Sequence, residues 1–106
     1  MVSIDQFKQI EMVVAQIKEA QDHPNADKLF VLKVDLGGEV RQLVAGIRTS
    51  YKAEELVGKR IVVIKNLQPA TIRGVESQGM LLAAGGPDGP VLLTSEKEVP
   101  LGSSVR

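Results

Sequence analysis

Leu29-Phe30-Val31-Leu32-Lys33-Val34-Asp35-Leu36, then Gly37-Gly38-Glu39, then Val40-Arg41-Gln42-Leu43-Val44-Ala45, is the stretch that decides the fold. Phe30, Leu32, Val34 and Leu36 fall on one face of an extended chain, with Lys33 and Asp35 on the other. That two-residue period marks a half-buried strand. The run Asp35 to Glu39 supplies a glycine-rich turn, so the stretch reads as a β-hairpin.

Working outward, Met12 to Ala20 reads as a strand on the strength of Val13, Val14 and Ile17. His23-Pro24-Asn25 forms a turn, because proline drives its predecessor extended and asparagine tolerates tight backbone. Ala53 to Val57, stopped by Gly58, gives one or two helical turns. Arg60 to Leu67 is a central apolar strand, broken at Gln68-Pro69. Ile72 to Ala84 resumes extended, with Gly74 and Gly79 as bends or bulges. Gly85 to Pro90 is a loop, and Val91 to Thr94 and Val99 to Val105 read as short tail strands. Ahead of all this, Ser3 caps a short helix through Ile10, with Ile4, Phe7 and Ile10 on one stripe. Five core strands with one short helix between the third and fourth predict an all-β, five-stranded Greek-key barrel of the OB type. The short N-terminal helix and a C-terminal extension flank it, in a single domain spanning 1–106.

The inventory excludes several functions. The absence of cysteine removes disulfides, thiolate catalysis and thiolate metal sites, and fits a reducing cytoplasm. His23 is the only histidine and sits beside a proline in a turn, a place for a structural or exposed ring rather than for general acid–base work. No catalytic residue, cofactor or metal is expected, and no apolar run is long enough for a membrane helix. Gly85 to Gly89 lacks the lysine and the following helix of a phosphate-binding loop. The chain is not expected to be an enzyme by itself.

Charge is more telling. The formal net charge is zero, yet Lys28 to Arg73 holds nine cations against four anions, a surplus of five that the two flanks cancel. A basic body of this kind presents a phosphate-binding face. The aromatic inventory is Phe7, Phe30 and Tyr51, with Phe30 facing inward and Phe7 on the helix stripe, so little remains for stacking bases. Binding then rests on phosphate, 2′-hydroxyl and shape contacts, which suits a folded RNA. The candidate contacts are Lys28, Lys33, Arg41, Lys65 and Arg73 for phosphates, with Ser77 and Gln78 for sugars or base edges. Ser77-Gln78-Gly79 sets polar groups at the mouth of an apolar strand, as at the rim of a binding face. Met80, next in line, offers an apolar surface to a base or, equally, a side chain to the core.

His23-Pro24-Asn25-Ala26-Asp27-Lys28-Leu29 followed by Val34-Asp35-Leu36-Gly37 resembles the first half of the tRNA-binding domain of translation proteins. That family includes the C-terminal appendage of methionyl-tRNA synthetases, free-standing tRNA-binding proteins and endothelial monocyte-activating polypeptides. Leu43 to Ile47, Tyr51, Glu54 to Lys59, Asn66 to Pro69 and Glu76 to Met80 look like its remaining signatures, in order. The resemblance covers Ile4 to the C-terminus. It implies an OB fold that binds tRNA by shape, largely without regard to identity, as an appended or a free-standing domain assisting aminoacylation. It also implies a role for Lys28, Ser77 and Met80 in tRNA contact. The stripe of Ile4, Phe7 and Ile10 and the segment after Ala84 resemble dimer-forming extensions, so a homodimer is expected, with a core of about 11–84 between elements at about 3–10 and 85–106. The resemblance also implies a methionyl-tRNA synthetase catalytic domain as a partner. The intact Ser-Gln-Gly-Met turn sets the secretion-chaperone branch aside. One departure stands out: relatives often have Asp-Leu-Arg-Val where this chain has Glu11-Met12-Val13-Val14, so an arginine is missing. The alternative function is a dimerisation or protein-interaction module that no longer binds RNA.

Overall fold

The computed structural model describes all 106 residues. Helix α1 (Ile4–Lys8) begins at a capping box: the Gln6 N–H donates to Ser3 Oγ at 3.1 Å and the Ser3 N–H to Gln6 Oε1 at 2.8 Å. The helix proper ends before Ile10, whose N–H still reaches the Phe7 carbonyl. Strand β1 (Met12–Asp22) runs two residues beyond the expected end at Ala20, with an irregularity between Ile17 and Glu19. Next come β2 (Phe30–Asp35), β3 (Val40–Ala45), helix α2 (Ala53–Leu56) and β4 (Arg60–Ile64). The remaining strands are β5 (Ala70–Ile72), β6 (Val75–Ser77), β7 (Met80–Leu81), β8 (Ala83–Gly86), β9 (Gly89–Leu92) and β10 (Ser104–Val105).

The fold is all-β apart from its two short helices, a nearly closed barrel of the expected OB type. The main sheet runs β3-β2-β1-β4-β7, every pair antiparallel. β1 is long enough to serve two partners along its length. Met12 to Gln16 pair with Ile64 to Arg60, and Gln16 to Asp22 pair with Asp35 to Phe30. The inward face of β2 is as the alternation required, with Phe30, Leu32, Val34 and Leu36 all buried. Val13, Ala15 and Ile17 of β1, with Leu43, Ala45, Ile47, Leu56, Ile61 and Val63, complete the core against them.

Three expectations need correction. The stretch from Ile72 to Ala84 is not one strand. Arg73 (φ 52°) and Gly74 (φ 88°) both adopt positive φ between Ile72 and Val75, reversing the chain into the tight hairpin β5–β6. The Gly85–Pro90 loop is the upper part of a second hairpin, β8–β9, in which Gly86 pairs with Gly89 around Pro87-Asp88. β4 stops at Ile64 rather than Leu67, because Asn66 turns away to hold the helix: it accepts from the Glu11 N–H at 2.9 Å and donates to the Gln9 carbonyl at 2.6 Å.

The tail returns to the barrel. β10 pairs with Met12 and Val13, and the Gly102 N–H donates to the Val14 carbonyl at 2.7 Å. Val14 and Val62, which lie outside the core cluster, are nevertheless buried. The tail passes so close to the β2–β3 turn that a Cβ on Gly102 would lie 2.8 Å from the Leu36 carbonyl oxygen. Part of the expected dimerising extension is therefore used by the barrel itself.

Candidate nucleic-acid interface

β3 would be the open edge of the main sheet, and the segment from Glu76 to Gly79 closes it. Here one backbone bond, from the Gln78 N–H to the Gln42 carbonyl at 2.8 Å, is supplemented by side chains where a strand ladder would continue. The Val44 N–H donates to Ser77 Oγ at 3.0 Å, and the Gln42 N–H donates to Gln78 Oε1 at 3.0 Å. Ser77 Oγ in turn donates to the Gly79 carbonyl at 3.0 Å, and Gln42 Nε2 donates to the Glu76 carbonyl at 2.8 Å. Ser77 is buried, at 4% exposure, with both hydrogen-bonding functions of its hydroxyl used. The polar residues at the mouth of this strand thus have a reason that owes nothing to a ligand: they seal the barrel. Met80 beyond them is exposed, at 48%.

The candidate cations fall into two groups. One surrounds the loop between β1 and β2. Lys28 is exposed on that loop and makes no ion pair. Arg73, at the tip of β5–β6, donates from Nη2 to the Asn25 carbonyl at 3.1 Å. Arg48 donates to the Ala26 carbonyl, pairs with Asp22 at 2.8 Å and lies 5.9 Å above the Phe30 ring.

The second group lies across β2, β3 and the seam. Lys33 Nζ donates to Gln42 Oε1 at 2.7 Å, on the residue that binds Gln78. Arg41 reaches past the barrel end to the Lys65 and Gln78 carbonyls and to Glu39 at 3.1 Å. Lys65 Nζ is 3.9 Å from Glu11. Arg41 and Lys65, with Gln78, Val40, Leu67 and Pro69, border an open groove of about 380 Å³. Arg41 therefore works as a clamp across the barrel end. Lys28, Lys33 and Arg73 are the candidates with no carboxylate partner.

His23 was read as structural or exposed. It is buried, with the Asn25 N–H donating to Nδ1 at 2.9 Å and Nε2 lying 3.0 Å from the Ile72 carbonyl. No cluster of acidic, histidine or cysteine side chains suited to a metal ion is present. No helix is long and apolar enough to cross a membrane.

A family model described as a putative tRNA-binding domain matches residues 12–104. The chain belongs to this tRNA-binding domain family. The domain is 55% identical over 105 residues to methionine–tRNA ligase of Pyrococcus furiosus, an alignment covering 99% of this chain and 14% of that protein. Against the Thermotoga maritima methionine–tRNA ligase it is 50% identical, covering 98% and 16%. The chain thus spans about one seventh of the length of these relatives. Among solved structures, a MetRS-related protein from Pyrococcus horikoshii superposes with a TM-score of 0.92 at 39% identity, covering 100% of this chain and 98% of that one. The CsaA chaperone protein of Picrophilus torridus gives the same TM-score at 32% identity, with both chains fully covered. Shape alone does not set the chaperone branch apart.

Gln42, Arg48 and Asn66 organise this tRNA-binding domain without a role expected for them from the sequence, and Asn25 does more than shape its turn. Asn25 and Asn66 lie inside the motifs His23 to Leu29 and Asn66 to Pro69, which carry the family resemblance; Gln42 and Arg48 lie in none. The missing arginine maps to Val13, which is buried, so β1 offers no polar side chain there.

Proposed function

We propose that the domain binds tRNA through its backbone and overall shape, largely without sequence preference, in the cytoplasm. It does so as the appended domain of a methionyl-tRNA synthetase or as a free-standing protein that assists aminoacylation. The observation that carries this reading is that Arg73 bonds the Asn25 carbonyl of the loop that carries Lys28, which sets two cations without a carboxylate partner on adjoining elements, with Lys33 a third on the neighbouring strand. A cation without a partner is free to displace counterions from a phosphate; a paired one must first give up its carboxylate. The identity to methionine–tRNA ligases favours the synthetase setting.

We further propose a homodimer. Ile4, Phe7, Ile10, Met12, Lys65 and Val105 border a groove of about 460 Å³ between α1 and β10. Ile4 and Ile10 are exposed at 64% and 43%, and the helix is too short to hold its shape unaided. A two-fold partner would cover this stripe with its own copy.

The superposition on CsaA favours one other reading, a chaperone as that protein is described. Titration with bulk tRNA across salt decides. Affinity that falls steeply with salt supports the tRNA reading, and absence of binding at low salt overturns it. Suppression of client aggregation by a chain that ignores tRNA would instead establish the chaperone reading. Light scattering that finds a dimer without tRNA binding would leave a dimerisation module.

A further inference from the structure

We propose that His23 is a positioning residue for RNA contact: its ring locks the β1–β2 loop, which carries Lys28, to the β5–β6 hairpin, whose tip is Arg73. The proposal rests on the tRNA-binding reading above and adds to it a residue that touches no RNA.

His23 is 4% exposed, and apart from Ser77 it is the one polar residue so deeply buried. Its two ring nitrogens face different elements. Nδ1 accepts the Asn25 N–H at 2.9 Å, which shapes the loop. Because Nδ1 accepts, the ring proton sits on Nε2, which donates to the Ile72 carbonyl at 3.0 Å and so ties down the hairpin. Ile72 is the last residue of β5 and immediately precedes Arg73. The bond is therefore placed to fix the turn that aims the guanidinium. Arg73 answers from the other side by donating to the Asn25 carbonyl. Two crossed bonds, His23 to Ile72 and Arg73 to Asn25, thus join the loop and the hairpin.

The backbone of the loop is prepared for this. Pro24 restricts His23 to extended geometry. The His23 N–H donates to the Leu29 carbonyl at 3.1 Å and the Leu29 N–H to the Ala26 carbonyl at 3.3 Å. Lys28 is held by its own carbonyl, which accepts from the Arg48 N–H at 3.4 Å. With the loop bonded at both ends, the histidine is the side-chain link from the loop to the hairpin backbone, as Arg73 is the link from the hairpin to the loop backbone. Holding two cations at a fixed separation removes the cost of ordering them when a phosphate backbone arrives.

Two substitutions separate the two nitrogens. His23→Asn keeps an acceptor near Nδ1 for the Asn25 N–H but cannot reach Ile72. His23→Gln keeps a donor near Nε2 that can. Each is measured by tRNA titration across salt, alone and combined with Arg73→Ala, and by amide exchange of the β5–β6 hairpin.

The expected result is that H23N weakens binding, flattens the log–log salt slope by roughly one phosphate's worth, and speeds hairpin exchange. H23Q should restore part of each effect. H23N combined with R73A should bind no worse than R73A alone, because the histidine acts through the arginine. Unchanged affinity, unchanged hairpin exchange in H23N, or additive losses in the double variant would each overturn the proposal. If the unaltered chain ignores tRNA at low salt, the functional reading falls and this proposal with it. Binding that survives H23N intact sinks the proposal alone.

Discussion

Ser77 Oγ accepts the backbone N–H of Val44 at 3.0 Å, standing where the carbonyl of a neighbouring strand would stand in a continuous ladder. The same hydroxyl donates to the Gly79 carbonyl, so its loss leaves one donor and one acceptor without partners. Ser77→Ala should therefore lower unfolding free energy by about 1–3 kcal/mol, read by urea denaturation. A cost below about 0.5 kcal/mol would mean that Gln78 closes the seam unaided. Met80→Ala, on an exposed side chain, is expected to leave stability within about 0.5 kcal/mol while reducing tRNA affinity.

Arg73 tests function against stability at one position. Its φ of 52° suits glycine or asparagine, and the pair Arg73-Gly74 occupies a turn for which Asn-Gly is preferred. Arg73→Asn should hold stability within about 0.5 kcal/mol, the better turn residue offsetting the lost bond to the Asn25 carbonyl, while weakening tRNA binding and its salt dependence. A less stable variant with unchanged affinity would reverse the assigned roles.

Lys28 carries no ion pair, so reversing its charge removes an attraction without orphaning a partner. Lys28→Glu is expected to weaken binding to all tRNAs by a similar factor, since phosphate contacts position rather than specify. Changed discrimination with average affinity held would show that Lys28 reads bases.

Phe7→Asp should convert a dimer to a monomer with its barrel intact, as seen by light scattering and circular dichroism. Asn66→Ala reaches the same end from a distance. It frees the Glu11 N–H and Gln9 carbonyl that fasten α1, loosening self-association without touching the apolar stripe. An unaltered chain that is monomeric at micromolar concentration would end the dimer proposal.

The β2–β3 hairpin was legible to within a residue, because strict alternation and two successive glycines leave no other reading of Phe30 to Ala45. The reversal at Arg73-Gly74 was not, since arginine at positive φ is uncommon and a strand with a bend explains the same letters. Ser77 shows where the site reading ran short. Serine and glutamine at a strand entrance serve a ligand rim and a barrel seam alike, and only the position of Val44 and Gln42 tells which. Arg41 is similar: its charge was plain, but its commitment to the Lys65 and Gln78 carbonyls depends on residues 24 and 37 positions away.

β1 is bonded to β2, β4 and β10, strands that arrive early, midway and last in the chain. During synthesis its apolar side chains emerge ahead of every other strand, gain β2 soon after, and wait through β3 and α2 for β4. The two-residue clasp of β10 forms only after all the other strands have emerged. Refolding from denaturant should accordingly be slow for so small a chain, in the range of milliseconds to seconds typical of non-local β pairing. The half-assembled sheet is the form in which such a domain is most exposed to aggregation.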